Sequence, residues 1–136
     1  MQSPDPGRAA EAPRADYTDA EKARAGLTAF FSIAGEWGLD TEQQRQLLGS
    51  PGRTTFFEWK RRQRANLSRD TLDRLSYLLG TYKALRLLFS ERGAHEWLTH
   101  PNADPLFGGR SPLEHMLRGG LIGLAEVRRY LDWARG

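Results

Sequence analysis

Apolar residues recur three and four positions apart along most of the chain, which is the spacing of amphipathic helices rather than strands. Ala23, Leu27, Phe30, Phe31 and Ala34 form the first such stripe. Thr18-Asp19-Ala20-Glu21 precedes it as a capping box, in which the Thr oxygen and the Glu carboxylate satisfy free N–H groups at the helix start. Gly35 and Gly38 are expected to stop that helix. Asp40, with Gln43 at the reciprocal position, predicts a short helix from Thr41 to Leu48 that Gly49 ends as a left-handed cap. Ser50-Pro51 then predicts an immediate restart, with Ser as cap and Pro at the first helical position, running to about Arg62. Residues 63–67 read as a loop. Ser68 caps a long helix from Arg69 to about Phe89, whose stripe is Leu72, Leu75, Leu78, Leu79, Tyr82, Leu85, Leu88 and Phe89, widened by Tyr77 and Leu87. A stripe this broad is either buried on two sides or serves as a dimer interface.

Beyond it, a short helix around Gly93–Leu98 carries Trp97, and Pro101 to Gly109 is irregular. Ser111-Pro112-Leu113-Glu114 combines a capping box with Pro at the first helical position, and Gly119-Gly120 is expected to end the helix it starts. A last helix, about Leu124 to Ala134, would place Leu124, Val127, Tyr130, Leu131 and Ala134 inward. No period-2 segment bounded by turn residues stands out, and no repeat is visible. The fold class expected is all-α: a helix-turn-helix bundle over 17–90 followed by a small helical subdomain over 91–136. Residues 1–16, rich in Pro, Ala, Arg and Asp without apolar periodicity, read as a disordered tail.

Composition narrows the function classes. The 136 residues suffice for one domain with a real core or two very small ones sharing an interface. No apolar run approaches the ~20 residues a membrane span needs. The N-terminal residues carry no signal-like apolar segment, so a cytoplasmic protein without membrane contact is expected. The chain has no Cys, which excludes disulfides, thiolate catalysis and Cys-ligated zinc. His95, His100 and His115 form no metal-ligand pair on one helix, and no metal is expected. Gly108-Gly109 and Gly119-Gly120 read as turn and stop signals rather than a phosphate loop, and no Ser lies in a nucleophile motif. Nothing argues for an enzyme or a cofactor.

The net charge of +3 says little, but its distribution says more. Between Arg53 and Arg64 stand Arg53, Lys60, Arg61, Arg62 and Arg64 against a single acid, Glu58. Such a cluster is either a phosphate-binding surface or a solvated helix face. Two short helices joined by a tight Gly turn, the second one basic, is the helix-turn-helix pattern.

These residues carry a resemblance. Leu47-Leu-Gly-Ser-Pro-Gly-Arg-Thr-Thr-Phe-Phe-Glu-Trp59 and the run from Leu67 through Leu78-Leu-Gly80 to Phe89 resemble the Xre/MbcA/ParS group of antitoxins. Trp97-Leu-Thr-His-Pro-Asn102, Phe107-Gly-Gly-Arg-Ser-Pro-Leu113 and Val127-Arg-Arg-Tyr-Leu-Asp-Trp133 are similar to that family's C-terminal toxin-binding domain, in order and at fitting spacing. The resemblance runs from about residue 25 onward. It implies a repressor of its own operon in the first half and, in the second, a module that covers the active site of a RES-domain toxin. Such toxins resemble ADP-ribosyltransferases and deplete NAD. The implied partners are therefore a RES-domain toxin, operator DNA and a second copy of the chain. A freestanding helix-turn-helix regulator with no toxin remains the alternative reading, and an inhibitor that has lost DNA binding is a third. One departure stands out: Ser50-Pro51-Gly52-Arg53 is unusually Gly- and Pro-rich, and Gly52 in a first helical turn would cost about 1 kcal/mol relative to Ala.

Within that resemblance, roles fall to particular residues. Phe56 and Trp59 face inward. Arg53, Thr54, Phe57 and Arg61 lie on other faces, and Arg53 and Thr54 sit at the N-terminal end, where recognition helices touch base edges. Lys60, Arg61, Arg62 and Arg64 would meet phosphates. Trp97, Phe107 and Leu113 are expected in the core, and Asn102 as a turn residue or a toxin contact. At 100° per residue, Arg129 and Trp133 point away from the buried face of the last helix. Trp133 either folds back over a neighbouring patch or is a binding hot spot, for which Trp and Arg are favoured types. Arg135 and Gly136 are expected to follow them into the toxin's cleft, with a short terminal end and its carboxylate meeting charged groups there.

Overall fold

The computed structural model describes residues 18–136; the expectation for the tail lies outside them. Helix α1, Asp19–Glu36, starts at the capping box expected of it: Thr18 Oγ1 accepts from Glu21 N–H at 3.1 Å, and the Glu21 carboxylate accepts from Thr18 N–H at 3.3 Å. Gly35 does not stop the helix. The stop comes at Trp37-Gly38, where Gly38 takes φ +69° and Trp37 is buried. Helix α2, Thr41–Leu47, is capped as read, with Asp40 Oδ1 accepting from Gln43 N–H at 2.7 Å.

The restart differs from the sequence expectation. Helix α3, Arg53–Arg62, begins two residues later than Pro51, with Gly52 as its N-cap. Ser50 cannot cap it, because Ser50 and Gly49 both take left-handed conformations (φ +57° and +95°) and Ser50 N–H donates to Arg45 O at 2.9 Å to close α2. Gly52 therefore sits outside the helix, where it costs only a few tenths of a kcal/mol relative to a hydroxyl cap.

Helix α4, Arg69–Leu88, starts at Ser68 as expected. Its buried set is Thr71, Leu75, Leu78, Gly80, Thr81, Ala84 and Leu85. The small residues Gly80, Thr81 and Ala84, absent from the stripe read in the sequence, are buried, while Leu72, Leu79 and Tyr82 are only half-buried. Leu87 (72% exposed) and Leu88 point outward. They belong to the last turn, which runs past the packing surface. Helix α5, Glu91–Thr99, begins before Gly93 because Ser90 Oγ accepts from Gly93 N–H at 3.1 Å and so fixes the start two residues earlier.

The two expected C-terminal helices merge into α6, Pro112–Arg135, capped by Ser111 Oγ accepting from Glu114 N–H at 3.0 Å. Helical bonding resumes at once across a kink at Gly120 (φ +60°, ψ −147°). The first half of α6 meets α2, where Gln46 Nε2 donates to Leu117 O at 3.1 Å. The second half lies along α4, the most extensive helix pairing of the fold, and α1 covers another side of α4. The Arg128 guanidinium fills the space above Gly80, where a Cβ would lie 1.5 Å from Nη1. One continuous core results, with Phe30, Phe56, Leu78, Leu85, Leu98, Phe107, Met116, Leu124 and Leu131 fully buried. No strand occurs among the described residues. None of the described helices is long and apolar enough to cross a membrane.

Candidate functional sites

Two surfaces carry the residues singled out by the sequence. The first is the outer face of α3. Phe56 anchors that helix in the core, packed edge-on against Phe31 (ring centroids 5.8 Å apart), and Trp59 is half-buried beside it. Helical geometry then sends Lys60, Arg53, Phe57, Arg61 and Thr54 into one outer arc of roughly 120°. All five are exposed. The turn that presents this face is braced: Arg45 Nη1 donates to Pro51 O at 2.7 Å while pairing with Glu42 at 2.5 Å. Glu42 also comes within 3.7 Å of Arg53, whose guanidinium lies 5.7 Å from the Phe57 ring centre. Phe57, 44% exposed, thus holds Arg53 near the start of α3 by cation–π contact.

The basic residues are not equivalent. Glu58 pairs with Arg61 and, at 3.0 Å, with Arg62. The hydrogen bond from Arg61 holds the Glu58 carboxyl below the usual carboxylate range, and Arg45 does the same for Glu42. Lys60 and Arg64 have no acidic partner among the described residues. Sequence reading missed Arg24, which α1 brings beside Arg61, Arg62 and Arg64. No local signal could have found it, because Arg24 lies far from the motif along the chain.

The second surface is the end of α6. Asn102 braces the loop that precedes α6 rather than projecting from it. Its N–H donates to Arg110 O (3.0 Å), its C=O accepts from Gly109 N–H (2.9 Å), and its Oδ1 accepts from Asp104 N–H (2.9 Å). That loop delivers Phe107 into the core against Trp97, His115 and Tyr130. Trp97 stacks between Phe89 and Tyr130 (6.4 and 6.1 Å), and Tyr130 meets Trp133 at 6.0 Å. An aromatic chain therefore runs from the interior to Trp133 at the surface. Trp133 does not fold back over a patch: it is 76% exposed.

Arg129, Arg135 and Gly136 are exposed too. Ala134, expected inward, is also exposed, because the core ends at Leu131 and the last turn projects beyond it. A concavity of about 400 Å3 lies here, lined by Leu106, Glu126, Arg129, Tyr130 and Trp133. Leu106 and Glu126 were not read from the sequence. Glu126 also bridges the α6 kink, its Oε1 3.0 Å from His115 Nε2.

Residues 16–80 match the antitoxin Xre-like helix-turn-helix domain, and residues 84–136 match the antitoxin Xre/MbcA/ParS C-terminal toxin-binding domain. The chain belongs to the Xre/MbcA/ParS antitoxin family. An uncharacterized protein of Sinorhizobium fredii, y4oB, is 46% identical over 120 residues, which cover 88% of this chain and 91% of that protein. The α3 face falls in the first match and the Trp133 concavity in the second. The antitoxin is thus of type II, a protein that binds its toxin through the C-terminal domain.

Proposed function

We propose that the antitoxin neutralises a RES-domain, NAD-depleting toxin by seating the end of α6 over the toxin's NAD site, and that the α3 face represses the antitoxin's own operon. The observation that carries the first part is Trp133: a large, exposed aromatic side chain packed on one side against Tyr130, beside Arg129 and a concavity. Exposed, pre-oriented Trp and Arg side chains are the usual anchors of tight protein interfaces. Arg135 and Gly136 follow Trp133 into the cleft, and the bonded Asn102 loop supports the rim. Co-expression with the product of the neighbouring gene tests this. The two are expected to co-purify, and the antitoxin is expected to stop NAD loss. A neighbouring protein that neither co-purifies nor consumes NAD would overturn the assignment.

The DNA part rests on the outer arc of α3. Arg53 and Thr54 in its first turn reach base edges, with Phe57 beside them and Lys60, Arg61, Arg62 and Arg64 on phosphates. A gel shift with the upstream region of the operon is expected to show binding that Arg53→Ala makes less sequence-selective. Absence of any shift at low salt removes the repressor role and leaves toxin binding standing.

Operators read by such motifs are commonly two-fold, and we infer a homodimer. The groove between α1 and α4, floored by Leu72, Leu75 and Leu79, leaves apolar surface open to a second copy. Light scattering is expected to give twice the 15.4 kDa chain mass or more; a monomer at high micromolar concentration is the contrary result.

A further inference from the structure

Arg24, Arg61, Arg62 and Arg64 line one concavity of about 410 Å3 between α1 and the end of α3. An adjoining hollow shares Arg24, Arg62 and Arg64 and adds Ala20, Glu21, Ala65 and Asn66. Gln63 takes a left-handed conformation (φ +52°) after the last turn of α3, which turns the chain and positions Arg64. The hydrogen bond from Thr28 Oγ1 to Gln63 Oε1 (2.9 Å) ties that turn to α1, one helical turn beyond Arg24.

The charge there is not explained by local stability. Cations at the C-terminal end of α3 complement the helix dipole, which accounts for Arg61 and Arg62. Glu58 already pairs with both. Arg24 comes from a different helix, and neither it nor Arg64 meets a carboxylate within ion-pair distance among the described residues. All four guanidinium groups are exposed and face one open concavity, and the planar guanidinium fork suits phosphate oxygens.

The geometry points to a phosphate cradle, in which Arg24 and Arg64, flanked by Arg61 and Arg62, grip one backbone phosphate of duplex DNA. This rests on the α3 face reading DNA, and it adds a contact from α1 that the motif itself does not supply. The distances fit. From Arg53 to Arg62, α3 rises about 14 Å, while the major groove is about 12 Å wide. With Arg53 at the bases, the far end of α3 reaches the flanking sugar–phosphate strand. A contact there carries no sequence information but fixes how the helix lies in the groove.

The test uses the full chain with its own upstream duplex and an unrelated duplex, over a series of salt concentrations. Arg24→Ala is expected to weaken both duplexes by the same factor and to lower the salt slope by about one, as loss of one phosphate contact requires, with the oligomeric state by light scattering unchanged although Arg24 also borders the groove between α1 and α4. Arg24→Lys is expected to restore the slope, and Arg92→Ala, on α5 and paired with Glu96, to change neither. If Arg53→Ala alters sequence preference while Arg24→Ala leaves affinity and slope untouched, the cradle is wrong and the DNA reading survives. If the wild-type chain binds no duplex, the DNA reading fails, and with it the duplex assignment of the cradle. A parallel titration with inorganic phosphate, followed through the arginine Nε–H NMR signals, separates the sources. Saturating shifts at Arg24 and Arg64 with phosphate alone reassign the cradle to a free anion, whereas shifts with duplex alone support the backbone phosphate.

Discussion

Trp133→Ala is expected to leave the antitoxin folded and to weaken its hold on the toxin by at least about 2 kcal/mol, roughly 30-fold in Kd. The fold is spared because the indole is 76% exposed and its one aromatic neighbour, Tyr130, keeps its own contacts with Trp97 and Phe107. Binding suffers because the same indole offers the largest apolar area at the end of α6 for the toxin to bury. Removing residues 133–136 goes further and is expected to abolish protection of cells that express the toxin. Removing residues 1–16 should leave protection intact. The two readouts are survival and NAD level in a purified assay. Full inhibition by the chain lacking 133–136 would falsify occlusion by the end of α6 and move the inhibitory surface to the loop from Pro101 to Ser111.

Alanine at two adjacent glycines of α6 is expected to have opposite effects on stability. Gly120 takes φ +60° and ψ −147°, a region closed to side chains, so Gly120→Ala costs about 1–3 kcal/mol. Gly119 has open space around it and no positive φ, so Ala there gains up to about 1 kcal/mol from helix propensity. Thermal midpoints should move apart by several degrees, Gly120→Ala down and Gly119→Ala up. The penalty at 120 is structural as well as local. A straightened α6 would pull Leu113 and Met116 out of the core and break the Gln46–Leu117 hydrogen bond. Gly123→Ala provides an independent check, because its Cβ would lie 2.8 Å from His115 O, a backbone atom that cannot swing aside. If Gly120→Ala proves as stable as Gly119→Ala, the kink places no conformational demand on residue 120.

The sequence by itself determined the helices and most of their starts. Thr18, Asp40, Ser68 and Ser111 cap helices in the structure because a cap is a contact between a side chain and a backbone N–H three residues on, which only local spacing governs. The inward Phe56 and outward Thr54, Phe57 and Arg61 were equally legible, since at 100° per residue the latter three lie about 100–160° round the helix from Phe56. The outward Trp133 followed from the same arithmetic.

Tertiary structure alone decided the rest, wherever a residue's state depends on what lies opposite it. Gly80 and Ala84 are core because α6 approaches α4 closely there; hydrophobicity could not reveal this, and the sequence stripe favoured Leu87 and Leu88, which have nothing to pack on. Ser50 lost its capping role because closing α2 required a left-handed turn through it. Gly119-Gly120 read as a stop and proved to be a bend, because the halves of α6 pack on α2 and α4 and so maintain helix on both sides. Arg24 joined the basic cluster only when α1 folded against the end of α3, a proximity that no local pattern encodes.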